Sequence, residues 1–380
     1  MRQEDINRLN EPYPTERTNR DRRFHSALGA DVPSAAVLAS EIFDDLDTTT
    51  FGIAWWASLL PDHERILISD YLYQCASGIE VNLVEAKLHY LEWLDTRDKE
   101  NERISDMAHI TDGGQLISKL PRATKAMDDM PNNMEKLHVC GFFRAIGSAF
   151  DCLGAAIVAV LGLPVNLRKT DINNARSTLG RVVDDGTPAA RMKTEFRDFL
   201  DDVISKTGPE DWFDWTTQYR NMFVHRGRRL MINHLTGREP VLFDRRGFPI
   251  LRMTTTFHLA KHPDRSDVEA TILGPTMLNE DASVTLEGVF KSSRDLLEIV
   301  CERLVAIWIA RRNDPALISQ PVSQWNSVAK KCAFQGYKPE TPPLQMEVFI
   351  TNPDFYRRML SSSMDDAHRS LWDGSNWEVE

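Results

Sequence analysis

Apolar residues recur at helical spacing along most of the chain, and the intervals between those runs hold many of its prolines and glycines. Residues 1–33 break the pattern: they are polar and rich in arginine, with Pro12, Pro14 and Pro33, and read as an arm that is at least partly disordered. Residues 34–60 read as patchy helix. Pro61-Asp62-His63-Glu64 opens a longer helical run to about Glu100, carried by Ile66, Tyr73, Leu83, Leu88, Leu91 and Leu94, with Ser77-Gly78 as a candidate break. Residues 101–134, with Gly113-Gly114, Pro121 and Pro131, read as connection with short helices. From Glu135 to Gly162 the chain is nearly uncharged, and Pro164 ends the run. A helix apolar on most sides belongs in the middle of a bundle. Its small stripe, Gly141, Ala145, Ala149, Cys152, Ala156 and Ala159, lets another helix approach closely.

Further helices are expected from Pro188 to Lys206, from Pro209 to about Arg226 with Gly227 as the C-terminal cap, and from Leu286 to Arg312. Between the last two the period changes. Residues 241–243, 250–257 and 268–273 are short strand-like runs, and Asp244-Arg245-Arg246-Gly247 is a turn between the first two. The fold class expected is therefore mainly α: an up-and-down helical bundle with a small β-hairpin or meander inserted at 238–280. In domain terms this gives an arm (1–33), a helical N-terminal region (34–134), a bundle (135–312) and a mixed C-terminal extension (313–380).

Charge narrows the options. The 380 residues carry a formal net charge of −11, which excludes a uniformly basic nucleic-acid coat; any RNA contact must come from a local patch on an acidic body. The five cysteines, Cys75, Cys140, Cys152, Cys301 and Cys332, are widely spaced, without a CxxC pair or a Cys/His spacing suited to zinc. They read as reduced thiols. The hydrophilic start is no signal peptide, and the most apolar run, 152–163, is about a dozen residues, short for a bilayer span. A soluble cytoplasmic protein is expected, with no metal site.

The candidate chemistry sits at the end of the 209–226 helix, in Arg220-Asn221-Met222-Phe223-Val224-His225. Two other Arg-x4-His matches, at Arg20 and Arg229, lack that helical context. Trp212, Trp215, Tyr219 and Phe223 form one aromatic stripe at about 100° per residue. Asp214, Gln218, Asn221 and His225 fall opposite. Asn221 and His225 are i and i+4 neighbours, whereas Arg220 lies more than a quarter turn away. A guanidinium that clamps phosphate and an imidazole that moves a proton can cleave RNA without a metal. The same residues also suit a plain helix end, where the dipole favours His225, Arg226, Arg228 and Arg229 whatever their job.

Arg-Asn-x-x-x-His late in a bundle helix resembles the signature of the HEPN superfamily (higher eukaryotes and prokaryotes nucleotide-binding), and the apolar helix from Phe142 to Leu153 is similar to one in its bacterial members. The resemblance covers about residues 135–312 without the β insertion. It implies a helical bundle that dimerises, with two motifs facing each other in one cleft and no cofactor. It implies a metal-independent ribonuclease of bacterial defence, acting as a toxin or effector, with Arg220 and His225 catalytic and Asn221 supporting them. RNA is the implied substrate, and an antitoxin or other defence-system partner is implied as well. Some members carry His-x-Tyr, whose tyrosine a partner enzyme adenylylates; Gly227 stands there instead. Other members are non-catalytic, so a helical dimer that binds RNA, a nucleotide or a protein partner is the alternative. Arg226, Arg228, Arg229 and Arg144 are candidates for holding phosphate. Arg144, Ser148 and Asp151 also share a helix face, where Arg144 and Asp151 would pair if buried.

Overall fold

The computed structural model describes residues 31–47, 52–56, 62–110, 116–118, 130–167, 170–226, 234–236, 242–244, 248, 278, 280–318 and 337. Among them the protein is mostly helical, in seven α-helices: α1 (Pro33–Asp44), α2 (Asp62–Met107), α3 (Met130–Leu161), α4 (Ile172–Leu179), α5 (Pro188–Thr207), α6 (Trp212–Arg226) and α7 (Ala282–Asn313). Three two-stranded antiparallel ribbons lie between helices: β1 (Leu46–Asp47) with β2 (Gly52–Ile53), β3 (Ala108–Ile110) with β4 (Leu116–Ser118), and β5 (His234–Thr236) with β6 (Leu242–Asp244).

The chain forms two compact units that interleave in sequence. One comprises Met1–Asp31, Leu83–Ala145 and Trp212–Lys291; the other comprises Val32–Asn82, Ile146–Asp211 and Ser292–Glu380. In the second unit, α1 starts with Pro33 in its first turn and buries Ala35, Leu38, Ala39 and Ile42, one stripe at helical spacing. Its first turn is capped from α7: the Ser34 backbone N–H and hydroxyl donate to the Glu298 carboxylate at 3.0 and 2.7 Å. A carboxylate there satisfies an orphan donor and meets the positive end of the helix dipole. Asp45, just after α1, accepts from the indoles of Trp55 at 3.3 Å and Trp308 at 2.7 Å, and from the Arg312 guanidinium at 3.1 Å.

The carboxyl end of α3 is closed with similar care. Gly162 takes a left-handed φ of 62°, Leu163 N–H donates to Val158 O at 2.9 Å and Gly162 N–H to Ala159 O at 3.2 Å. This is the Schellman arrangement, in which glycine is favoured because it has no Cβ to clash. Arg311, 2% exposed, donates to Ala159 O and Val160 O, and Lys193 Nζ donates to Gly162 O at 3.1 Å. Two cations thus meet the negative end of that helix. Burial brings the Arg311 guanidinium down to about 10. One helix stretch, Met134–Leu161, is long and apolar enough by composition to cross a membrane; 78% of its most apolar window is buried inside the protein, as in a core helix.

Several expectations are corrected. The chain does not break at Ser77-Gly78: α2 runs through, and Gly78 instead leaves room for the Cys152 thiol, which would lie 3.1 Å from a methyl placed there. Among the described residues of 34–60, the α-helix ends at Asp44 and is followed by the β1–β2 ribbon and a 3-10 turn at Ala54–Trp56. The expected connection at 101–134 contains the end of α2, the β3–β4 ribbon and the start of α3. Helix α4 is an addition to the sequence reading. In the β region, β6 pairs back onto His234–Thr236, so pairing begins before 238; the turn expected at Asp244-Arg245-Arg246-Gly247 lies beyond Asp244 outside the described residues. The runs at 250–257 and 268–273, most of the N-terminal arm and nearly all of the extension beyond 318 lie outside the described residues.

Candidate functional site

Helix α6 owes its position to its aromatic face, in the first unit. Phe213 and Tyr219 are fully buried and Trp212 nearly so. Trp215 and Tyr219, one turn apart, stack with ring centres 5.0 Å apart and planes within 10°. Tyr219 meets Phe143 of α3 at 4.8 Å and Phe248 at 5.3 Å; Phe143 also meets Trp215 at 5.9 Å. Four rings in offset and edge-to-face contact fix the rotation of α6 about its axis. Burial pushes the Tyr219 phenol well above its ordinary value, so it stays protonated and carries no negative charge into this cluster. The stripe expected from the sequence is present for Trp212, Trp215 and Tyr219; the Phe223 side chain lies outside the described residues.

With that face inward, Arg220 and Asn221 are both half-buried. The Arg220 guanidinium bends around the helix and donates through Nη1 to Asn221 Oδ1 at 3.0 Å. Arg220 starts off the line joining Asn221 to His225 along the helix, and its guanidinium reaches Asn221. His225 and Arg226 belong to α6 by their backbone, with His225 one turn beyond Asn221. Their side chains, and all of Arg228 and Arg229, lie outside the described residues. Arg144 follows Phe143 on α3 and is exposed, so the burial that would have required an ion pair with Asp151 is not there; Asp151 is half-buried.

A second histidine arrangement, missed in the sequence, lies in the same unit. His89 of α2 and His138 of α3 face each other with their Nδ1 atoms 3.1 Å apart. His138 is buried, and among the described residues its Nε2 has no hydrogen-bond partner. Gly141 makes the approach possible: a methyl there would lie 2.3 Å from His89 Nε2. The only sequence signal was the small residue one turn after His138. A concavity of about 320 Å³ lies in the other unit, between α5 and α7, with Arg191, Glu195 and Arg303 at its rim; no motif residue lines it.

No known family model matches this sequence, no curated protein matches it, and no solved structure matches its fold. The residues themselves therefore carry the functional argument.

Proposed function

We propose that the chain is a metal-independent endoribonuclease of the HEPN type, built as a homodimer with Arg220, Asn221 and His225 at a composite site. The observation that carries this reading is the Arg220–Asn221 hydrogen bond on an aromatically anchored helix. It holds the guanidinium beside the residue that precedes His225 by one turn. The mainly helical fold is compatible with it. Substrate RNA supplies its own nucleophile, the 2′-OH. The His225 imidazole accepts that proton or protonates the departing 5′-oxygen, and its copy in a second subunit performs the complementary transfer. Arg220 stabilises the charge that builds on the phosphate, and the Asn221 amide orients it. Arg226, Arg228, Arg229 and the exposed Arg144 are proposed to steer and hold the backbone phosphates. The products are a 2′,3′-cyclic phosphate and a 5′-hydroxyl. A cytoplasmic toxin or effector role in bacterial defence, with an antitoxin or defence-system partner, belongs to the same proposal.

The test is cleavage of single-stranded and looped RNA in excess chelator by the wild type, Arg220→Ala and His225→Ala. The wild type is expected to cleave RNA and leave DNA intact, and each substitution to lower the rate about 10²- to 10⁴-fold. Wild-type cleavage that survives both substitutions overturns the site. Absence of cleavage by folded wild type favours the non-catalytic dimer that binds RNA, a nucleotide or a protein partner.

A further inference from the structure

Two cysteines that the sequence places 77 positions apart meet in the second unit. Cys75, Gly78 and Asn82 occupy one face of α2 at helical spacing, and the Cys152 thiol of α3 packs against that face. The Cys152 sulfur would lie 3.1 Å from a methyl at Gly78, so glycine gives it room that a larger residue would crowd. Asn82 Nδ2 donates to Gly78 O at 2.7 Å and reaches Cys152 Sγ at 3.7 Å. Cys75 lies one turn before Gly78 on that face, its burial is nearly complete, and the two thiols shift each other's acidity. Cys152 is partly exposed, and both thiols are free. A partly exposed cysteine that accepts from Asn82, with a buried thiol one turn away from Gly78 on the facing helix, is the layout of an attacking and a resolving cysteine.

We propose that Cys152 and Cys75 are a peroxide-responsive redox pair: a hydroperoxide oxidises Cys152, and Cys75 then closes a reversible disulfide between α2 and α3. In the first step the Cys152 thiolate attacks the distal peroxide oxygen. The O–O bond breaks, an S–O bond forms, two electrons pass from sulfur to the peroxide, and the departing oxide takes a proton from water to leave as water or an alcohol. In the second step Cys75 sulfur attacks Cys152 sulfur. The S–O bond breaks, the S–S bond forms, and hydroxide leaves as water with the Cys75 proton. A dithiol reverses the change. The order of the two cysteines follows from their surroundings. The Cys75 and Asn82 donors draw the Cys152 thiol below its ordinary value against burial and the nearby Asp151 carboxylate. The same hydrogen bond and burial hold Cys75 far above its own, outweighing a bond from Tyr71, so it remains a thiol until the sulfenic acid appears. Cys301 is fully buried and pushed up by that burial, and so is inert by comparison.

The experiment treats the reduced full chain with one equivalent of hydrogen peroxide at pH 7 and maps its peptides by mass spectrometry without reduction. A Cys75–Cys152 cross-link that dithiothreitol removes is expected. In Cys75→Ser the sulfenic acid persists at Cys152 and is captured by dimedone; Cys152→Ser gives neither product. Should a variant misfold, iodoacetamide labelling of the wild type decides, with Cys152 expected to react roughly tenfold faster than Cys301 at pH 7. Equal labelling of the two, or peroxide treatment that leaves 75 and 152 unlinked in folded protein, overturns the proposal.

Discussion

The facing imidazoles of His89 and His138 show how one hydrogen bond fixes a protonation pattern. One Nδ1 must donate and the other accept. His138 Nε2 is buried, with no hydrogen-bond partner among the described residues, and an orphaned N–H there would be costly. The favoured arrangement therefore places the His138 proton on Nδ1, donating to His89 Nδ1, with the His89 proton on Nε2, 3.8 Å from the Glu85 carboxylate. A further proton on either ring breaks the bridge or charges a buried edge. Burial holds both imidazoles below the ordinary value of 6.5; His89 also lowers His138, while Glu85 and Glu92 partly oppose the shift in His89 and Glu92 that in His138. The unfolded chain thus takes up protons that the folded chain refuses, so stability rises with pH across that interval. The contribution is complete above 6.5, the unfolded value, and is lost as the pH falls below it. Urea melts at pH 7.5 and 5.0 should show a larger acid-induced loss for wild type than for His138→Leu. Equal losses would mean that the pair does not resist protonation.

Among the elements, two glycines of α3 separate a soft contact from a hard one. The atoms nearest a methyl at Gly141 all belong to the His89 ring, at 2.3 to 2.6 Å, and that ring can rotate away. A methyl at Gly154 lands 2.6 Å from the Ile172 backbone nitrogen and 2.7 Å from the Asp171 carbonyl carbon, at the capped start of α4. Backbone held by a helix cap has nowhere to go. Gly154→Ala should therefore cost about 3 kcal/mol and Gly141→Ala about 1 kcal/mol, less whatever alanine returns in helix propensity. His89→Ala should rescue the second and leave the first unchanged, as chemical denaturation of the double variants would show. These contacts also mark where sequence reading ends. The long helices α3, α5, α6 and α7 were legible to within a few residues because apolar period and end signals agree, as with Thr187-Pro188 at the start of α5 and Gly162 before Pro164 after α3. Ribbons of two or three residues, such as Ala108–Ile110 with Leu116–Ser118, are too short to show a period. Helix α4 has eight residues and only Ile172, Ala175 and Leu179 buried, and Gly78 looked like a break because its purpose lies on another helix. At the candidate site the Arg-x4-His spacing and aromatic stripe were readable, whereas the turn of Arg220 onto Asn221 is a rotamer choice that no spacing encodes.

For the whole molecule, a net charge of −11 and a proposed site needing two copies of one motif have a joint consequence. An acidic body gives RNA little general attraction, so binding must come from the arginines gathered at the paired motifs and should weaken steeply with salt. If the cleft is composite, its guanidinium and imidazole need not come from the same chain. Arg220→Ala homodimers have no motif arginine in the cleft, and His225→Ala homodimers have no motif imidazole. A mixed dimer of the two has one of each. Co-refolding the two inactive variants in equal amounts should therefore raise cleavage above either parent yet leave it below wild type, because one of the two imidazole transfers is missing. Random pairing makes up to about half of the dimers mixed. The recovered rate should fall on dilution as dimers part. Both groups acting from within one chain predicts instead that the mixture never exceeds the sum of its parents. Measuring initial cleavage rates across a mixing series, with each variant first shown to melt like wild type, separates the two arrangements.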